Sequence, residues 1–125
     1  MANIALVEDN PIDSQIINAK FVSSTHKMHS AADLDSLSTE IGWMDIELLL
    51  LDLNLPNSKG IETLKAVKVS FPYIPIVVII GISTAEISSE LIACGAREVV
   101  CKLDLDKLDL EKLISDILVN ESKSQ

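Results

Sequence analysis

Short apolar runs punctuate the chain: Ile4-Ala5-Leu6-Val7, Leu48-Leu49-Leu50-Leu51, Ile76-Val77-Val78-Ile79-Ile80 and Val99-Val100-Cys101. None of them alternates between apolar and polar residues. Unbroken apolar strands suit a parallel sheet covered on both faces. A weaker strand, Met28 to Ala32, falls between the first two. Helical patterns fill the gaps. Asn10-Pro11 reads as an N-cap and first helical residue, because proline is tolerated where its missing N–H has no partner. Ile12, Ile16 and Ala19 then line one face, and Leu34, Leu37 and Ile41 form a second stripe. Gly60 precedes a third stripe of Ile61, Leu64 and Val67. Ser83 and Glu86 have capping-box spacing ahead of Ile87 and Leu91, and Gly95 suits a C-terminal stop. The last stripe is Leu110, Leu113, Ile114 and Ile117, with Asp106 as its expected cap. Strand and helix thus alternate five times. The pattern predicts an α/β domain with a parallel sheet and helices on both faces. The gaps also provide the crossovers of roughly a dozen residues that parallel strands need.

Length and composition narrow the class. At 125 residues the chain is expected to be a single domain over 1–125, with a core over about 3–119 and a polar tail over 120–125. Hydrophobic residues are 48% and charged residues 23%, the balance of a chain with a packed core. The formal charge of −9 argues against nucleic acid or an anionic membrane surface as a direct partner. Tyr73 to Ile82, the longest apolar run, is half the ~20 residues a membrane helix needs. No basic-then-apolar signal segment opens the sequence, and two cysteines do not make a disulfide framework. The expectation is a cytoplasmic protein.

The charged residues fall in a telling place. In open parallel sheets, ligands sit beyond the carboxyl ends of the strands. Glu8 and Asp9 follow the first predicted strand, Asp52 the third and Lys102 the fifth. Three carboxylates on one rim repel one another. A hard divalent cation with oxygen ligands relieves this, and Mg²⁺ suits one to three carboxylates plus retained waters. Lys102 can then neutralise a further anion beside Asp52.

Val7-Glu8-Asp9-Asn10, Leu49-Leu50-Leu51-Asp52-Leu53-Asn54-Leu55-Pro56, and Gly95-Ala96 followed by Val100-Cys101-Lys102 resemble the receiver domain of two-component response regulators. The likeness runs from about Asn3 to Val119. It implies a flavodoxin-like three-layer (βα)5 fold with a five-stranded parallel sheet in the order 2-1-3-4-5. It implies that Asp52 accepts a phosphoryl group from a histidine kinase or phosphotransfer protein. Glu8, Asp9, Asp52 and the backbone carbonyl of Asn54 would hold Mg²⁺. Lys102 would pair with Asp52 and then with the phosphoryl group, towards which Gly81 would turn its backbone. A downstream protein or fused output domain would receive the signal, and receivers also pair as homodimers through helix four, strand five and helix five. Such a domain supports its own phosphorylation and dephosphorylation and is not a turnover enzyme.

The chain departs from that family in places. The position of the switch hydroxyl is Ile80, and the aromatic residue three before the lysine is Val99. Leu103 replaces the proline that usually follows the lysine. A cis bond before a non-proline residue costs about 2.5–4 kcal/mol, so a trans bond is expected there. Aromatic residues are 3%, leaving a core of Leu, Ile, Val and Ala. Two other readings compete. In one, the chain is a pseudo-receiver, a constitutive protein-binding module without a phospho-switch. In the other, it is a phosphohydrolase with an aspartyl nucleophile, which would want an acid where Asn54 stands. His26 and His29 fall near the weak second strand without a metal-ligand cluster. Cys94 and Cys101 read as buried small hydrophobes, and Trp43 as a packing residue.

Overall fold

A computed structural model describes residues 2–41, 45–53, 60–81 and 84–123. Five strands form, one at each predicted place: β1 (Asn3–Val7), β2 (Lys27–Ala31), β3 (Leu48–Asp52), β4 (Ile76–Ile80) and β5 (Glu98–Cys101). They pair in parallel in the order β2-β1-β3-β4-β5. The helices are α1 (Pro11–Ala19), α2 (Leu34–Ser36), α3 (Gly60–Ser70), α4 (Ala85–Ala93) and α5 (Leu110–Lys123). A π-helical turn, Leu37–Ile41, continues α2. This is the flavodoxin-like three-layer arrangement expected from the sequence.

Strand periodicity sorts the core into two layers, because successive side chains point to opposite faces. Ala5, Val7, Leu49, Leu51, Ile76, Val78 and Ile80 pack on one side with Leu37, Leu64, Val67 and Leu91. Ile4, Leu6, Leu48, Leu50, Val77 and Ile79 pack on the other with Ile17, Phe21, Ile114 and Ile117. The first layer belongs to α2, α3 and α4, the second to α1 and α5.

Capping follows the sequence in part. Asn10 caps α1, its side chain accepting from the N–H groups of Ile12 at 2.9 Å and Asp13 at 3.1 Å, with Pro11 in the first turn. Gly95 ends α4 at φ +115°, where an L side chain is strained. The N–H of Ala96 donates to Leu91 O and that of Gly95 to Ile92 O, both at 3.0 Å, a Schellman closure.

Three local readings are corrected. Ile12, Ile16 and Ala19 do share a face, but it is the solvent face of α1; Ile17 is the buried residue. Thr84 caps α4, its hydroxyl accepting from Ile87 N–H, so the helix starts one residue later than a Ser83 cap would place it. Ser83 itself lies outside the described residues, as does Trp43. A 3-10 turn, Lys102–Asp104, and the turn after it use up the chain around Asp106, and Asp109 instead accepts from Lys112 N–H at 3.1 Å at the head of α5. Helix α5 runs on into 120–123, where Glu121 pairs with Arg97 at 3.4 Å. The bond before Leu103 is trans as expected.

Candidate functional site

Register explains why the charged groups meet. Val7 pairs with Leu51, so Glu8 and Asp52 extend β1 and β3 side by side. Glu8 shares the parity of Ile4 and Leu6, and Asp52 that of Leu48 and Leu50. Both therefore point to the side covered by α1 and α5. Lys102 follows β5 on the same rim.

The Lys102 ammonium lies 3.0 Å from Glu8 Oε1, 3.0 Å from Asp13 Oδ2 and 3.5 Å from Asp52 Oδ2. The Glu8 side chain is 0% exposed and that of Asp52 1%. Burial, and then a hydrogen bond with Asp52, lifts the Glu8 carboxyl from an ordinary 4.5 to about 7. Burial of Lys102 works against its charge. Its hydrogen bonds to Asp13 and Glu8 outweigh that and hold its pKa above the ordinary lysine range. The Asn10 backbone N–H donates to Glu8 Oε2 at 3.3 Å, tying the second oxygen to the start of α1.

Asp9 is exposed at the rim of this pocket. One carboxylate oxygen from each of Glu8, Asp9 and Asp52 lies within 4.8 Å of the others. Three hard oxygen donors, two buried and one open to solvent, fit a hard divalent cation. The Asn54 carbonyl expected beside them lies outside the described residues.

Gly81 follows β4, and its backbone carbonyl accepts from the Cys101 thiol at 3.3 Å. Ile80, at the end of β4, is buried in the α3–α4 layer and sits opposite Cys101. Val99 packs against the same layer. The nearby Thr84 hydroxyl is engaged in capping α4. His26 and His29 go to separate partners: His26 Nε2 lies 3.0 Å from Ser115 Oγ, and His29 Nε2 lies 3.1 Å from Asn3 Oδ1.

Asp13 is the site residue that sequence reading missed. It stands in the first turn of the helix that follows the acid pair, at the same end of the sheet, and that position was its one available signal. The expected partner of Lys102 was Asp52, yet Glu8 and Asp13 are the nearer carboxylates.

The family model for the response regulator receiver domain matches residues 4–115. The chain belongs to that family. Its relatives include the cell cycle transcriptional regulator CtrA of Caulobacter vibrioides, 30% identical over 79% of this chain and 43% of CtrA. The receiver thus spans less than half the length of that relative. The phosphorylated cyanobacterial phytochrome response regulator RcpA superposes with a TM-score of 0.77 at 26% identity, covering 94% of each chain. The Mn²⁺-bound form of response regulator Rcp1 gives 0.71 at 25% identity, over 94% of this chain and 91% of that one. Ile80 and Val99 therefore sit in a receiver whose acid pocket and lysine are in place. Among the described residues, no helix is long and apolar enough to cross a membrane.

Proposed function

We propose that this receiver takes part in a two-component phosphorelay by accepting a phosphoryl group on Asp52. The donor is the phosphohistidine of a histidine kinase or of a phosphotransfer protein. The observation that carries the reading is the convergence of buried Asp52 and Glu8 with Lys102 at the carboxyl end of a receiver sheet.

An Asp52 carboxylate oxygen bonds to phosphorus as the phosphorus–nitrogen bond breaks. The imidazole leaves with the electron pair and regains a proton from solvent. A carboxylate is a weak nucleophile, so charge neutralisation and alignment supply most of the acceleration. Glu8, Asp9 and Asp52 would hold Mg²⁺, whose charge when bound neutralises phosphoryl oxygens; that the related Rcp1 has a Mn²⁺-bound form supports a divalent cation. Lys102, already among three carboxylates, supplies a fixed positive charge beside Asp52. Loss of the group to water returns the resting state. The receiver thereby supports its own phosphorylation and dephosphorylation without turning over an external substrate. Its output goes to a downstream protein or fused domain.

Intact mass after incubation with Mg²⁺ and a small acyl phosphate tests this. A single phosphoryl adduct is expected, absent in Asp52→Asn. Wild-type protein that stays unmodified by both the small donor and a cognate kinase would favour the pseudo-receiver.

A further inference from the structure

Helix α1 faces the sheet in an unexpected way. Its inward side carries Asp13, Ser14, Ile17 and Asn18, while Ile12 is 67% exposed and Ile16 46%. Hydrophobic burial alone would favour turning those isoleucines inward. The observed orientation buries Ile17 completely, and polar contacts flank it. Asp13 meets Lys102 at 3.0 Å, and the Asn18 amide donates to Ser30 Oγ on β2 at 3.2 Å.

We propose that Asp13 is a positioning residue for Lys102, and that their ion pair is a latch between α1 and the turn after β5 which opens when Asp52 is phosphorylated. The proposal rests on Asp52 being the phospho-acceptor. Phosphorylation places a group of about −2 charge and three strong acceptor oxygens where one carboxylate stood. Lys102 has three donors and one charge to share among its acid neighbours. Of its three partners, Glu8 and Asp52 are sealed from water, whereas the Asp13 side chain is 31% exposed. With Mg²⁺ on Glu8 and Asp52 those carboxylates would keep a cation partner as Lys102 turns to the phosphoryl group, whereas Asp13 stands outside the metal set and, at the surface, is simply rehydrated. Asp13 is therefore the contact that gives way. The aliphatic side chains of Ile80 and Val99 offer the phosphoryl group no hydrogen bond, which leaves Lys102, among the described residues at this rim, to carry its arrival to a second element.

The Asn18 side-chain amide is a suitable reporter. It lies five residues along α1 from Asp13, about 7.5 Å further on at the helical rise. NMR spectra of the full chain with Mg²⁺, with and without the acyl phosphate, are paired with intact mass on the same samples. In phosphorylated wild type, the Asn18 amide and the α1 backbone amides should shift. In Asp13→Asn those signals should already lie displaced before phosphorylation, and the phosphorylation-dependent shift should be lost. Asp13→Glu, which keeps the charge, should restore it. A complete adduct with stationary α1 signals in wild type would overturn the latch and leave the phospho-acceptor assignment standing. So would an Asp13→Asn response equal to that of wild type. Absence of any adduct in wild type with the acyl phosphate and with a cognate kinase would remove both.

Discussion

Glu8 makes the stability of this receiver depend on pH in a direction opposite to that of most acids. Its carboxyl is lifted from 4.5 to about 7 because burial and the hydrogen bond with Asp52 favour the protonated form. A raised pKa means that the folded state binds the proton more tightly than the unfolded chain. The resulting stabilisation is fully present below pH 4.5 and is lost as pH rises through 7. At about 1.4 kcal/mol per pH unit, the shift amounts to ~3 kcal/mol. Glu8→Gln keeps the size of the side chain and removes the titration. The assay is urea unfolding followed by circular dichroism between pH 4.5 and 8, without divalent metal, for wild type and Glu8→Gln. Wild type should lose about 3 kcal/mol relative to the variant over this range, or roughly 1–3 M in urea midpoint for ordinary slopes. On the metal reading proposed above, Mg²⁺ binding expels the Glu8 proton, so its affinity should climb through the same window. Parallel profiles for the two proteins would refute the reasoning. A wild type that gains on the variant as pH rises would show that Lys102 governs Glu8 more strongly than burial does.

Ile114→Ala, which empties a fully buried position on α5, should cost about 2–5 kcal/mol by denaturant unfolding. Gly95→Ala should cost roughly 1–2 kcal/mol, because φ is +115° and the new Cβ would approach Lys68 Cε to 3.2 Å. A change within a few tenths would show that the α4 terminus relaxes. Ile80→Thr should lower stability by about 1–3 kcal/mol, since a hydroxyl enters an apolar layer. It should also enlarge the NMR response of α4 to phosphorylation; equal responses in the two forms would make the missing hydroxyl irrelevant.

The strands were legible because burial on both faces writes itself as an unbroken apolar run, as in Leu48 to Leu51. The positions of Glu8, Asp52 and Lys102 followed from strand ends and the rule that such ends hold ligands. The facing of α1 was not legible. Ile12 and Ile16 look like a core stripe, and periodicity cannot see that Asp13 and Asn18 find polar partners on the sheet side. The α4 cap was ambiguous by one residue because Ser83 and Thr84 offer the same hydroxyl. The α5 cap moved from Asp106 to Asp109 because the preceding 3-10 turn takes up residues that a simple stripe assigns to the helix approach.

The layer that shelters the pocket is closed by the two most distant parts of the chain. Leu6, Ile17 and Phe21 come early, while Leu110, Ile114 and Ile117 come late. Ser24 donates to Glu111 at 2.8 Å across a separation of 87 residues. The opposite layer is assembled mainly from the middle of the sequence, Ala31 to Ala96, with Ala5 and Val7. During synthesis from the ribosome, that middle layer can pack while α5 is still in the exit tunnel. On the sheltering side, the part of the face covered by α5 then stays open until the helix arrives. On the proposed assignment, a nascent chain would thus lack a dry phospho-acceptor until α5 packs.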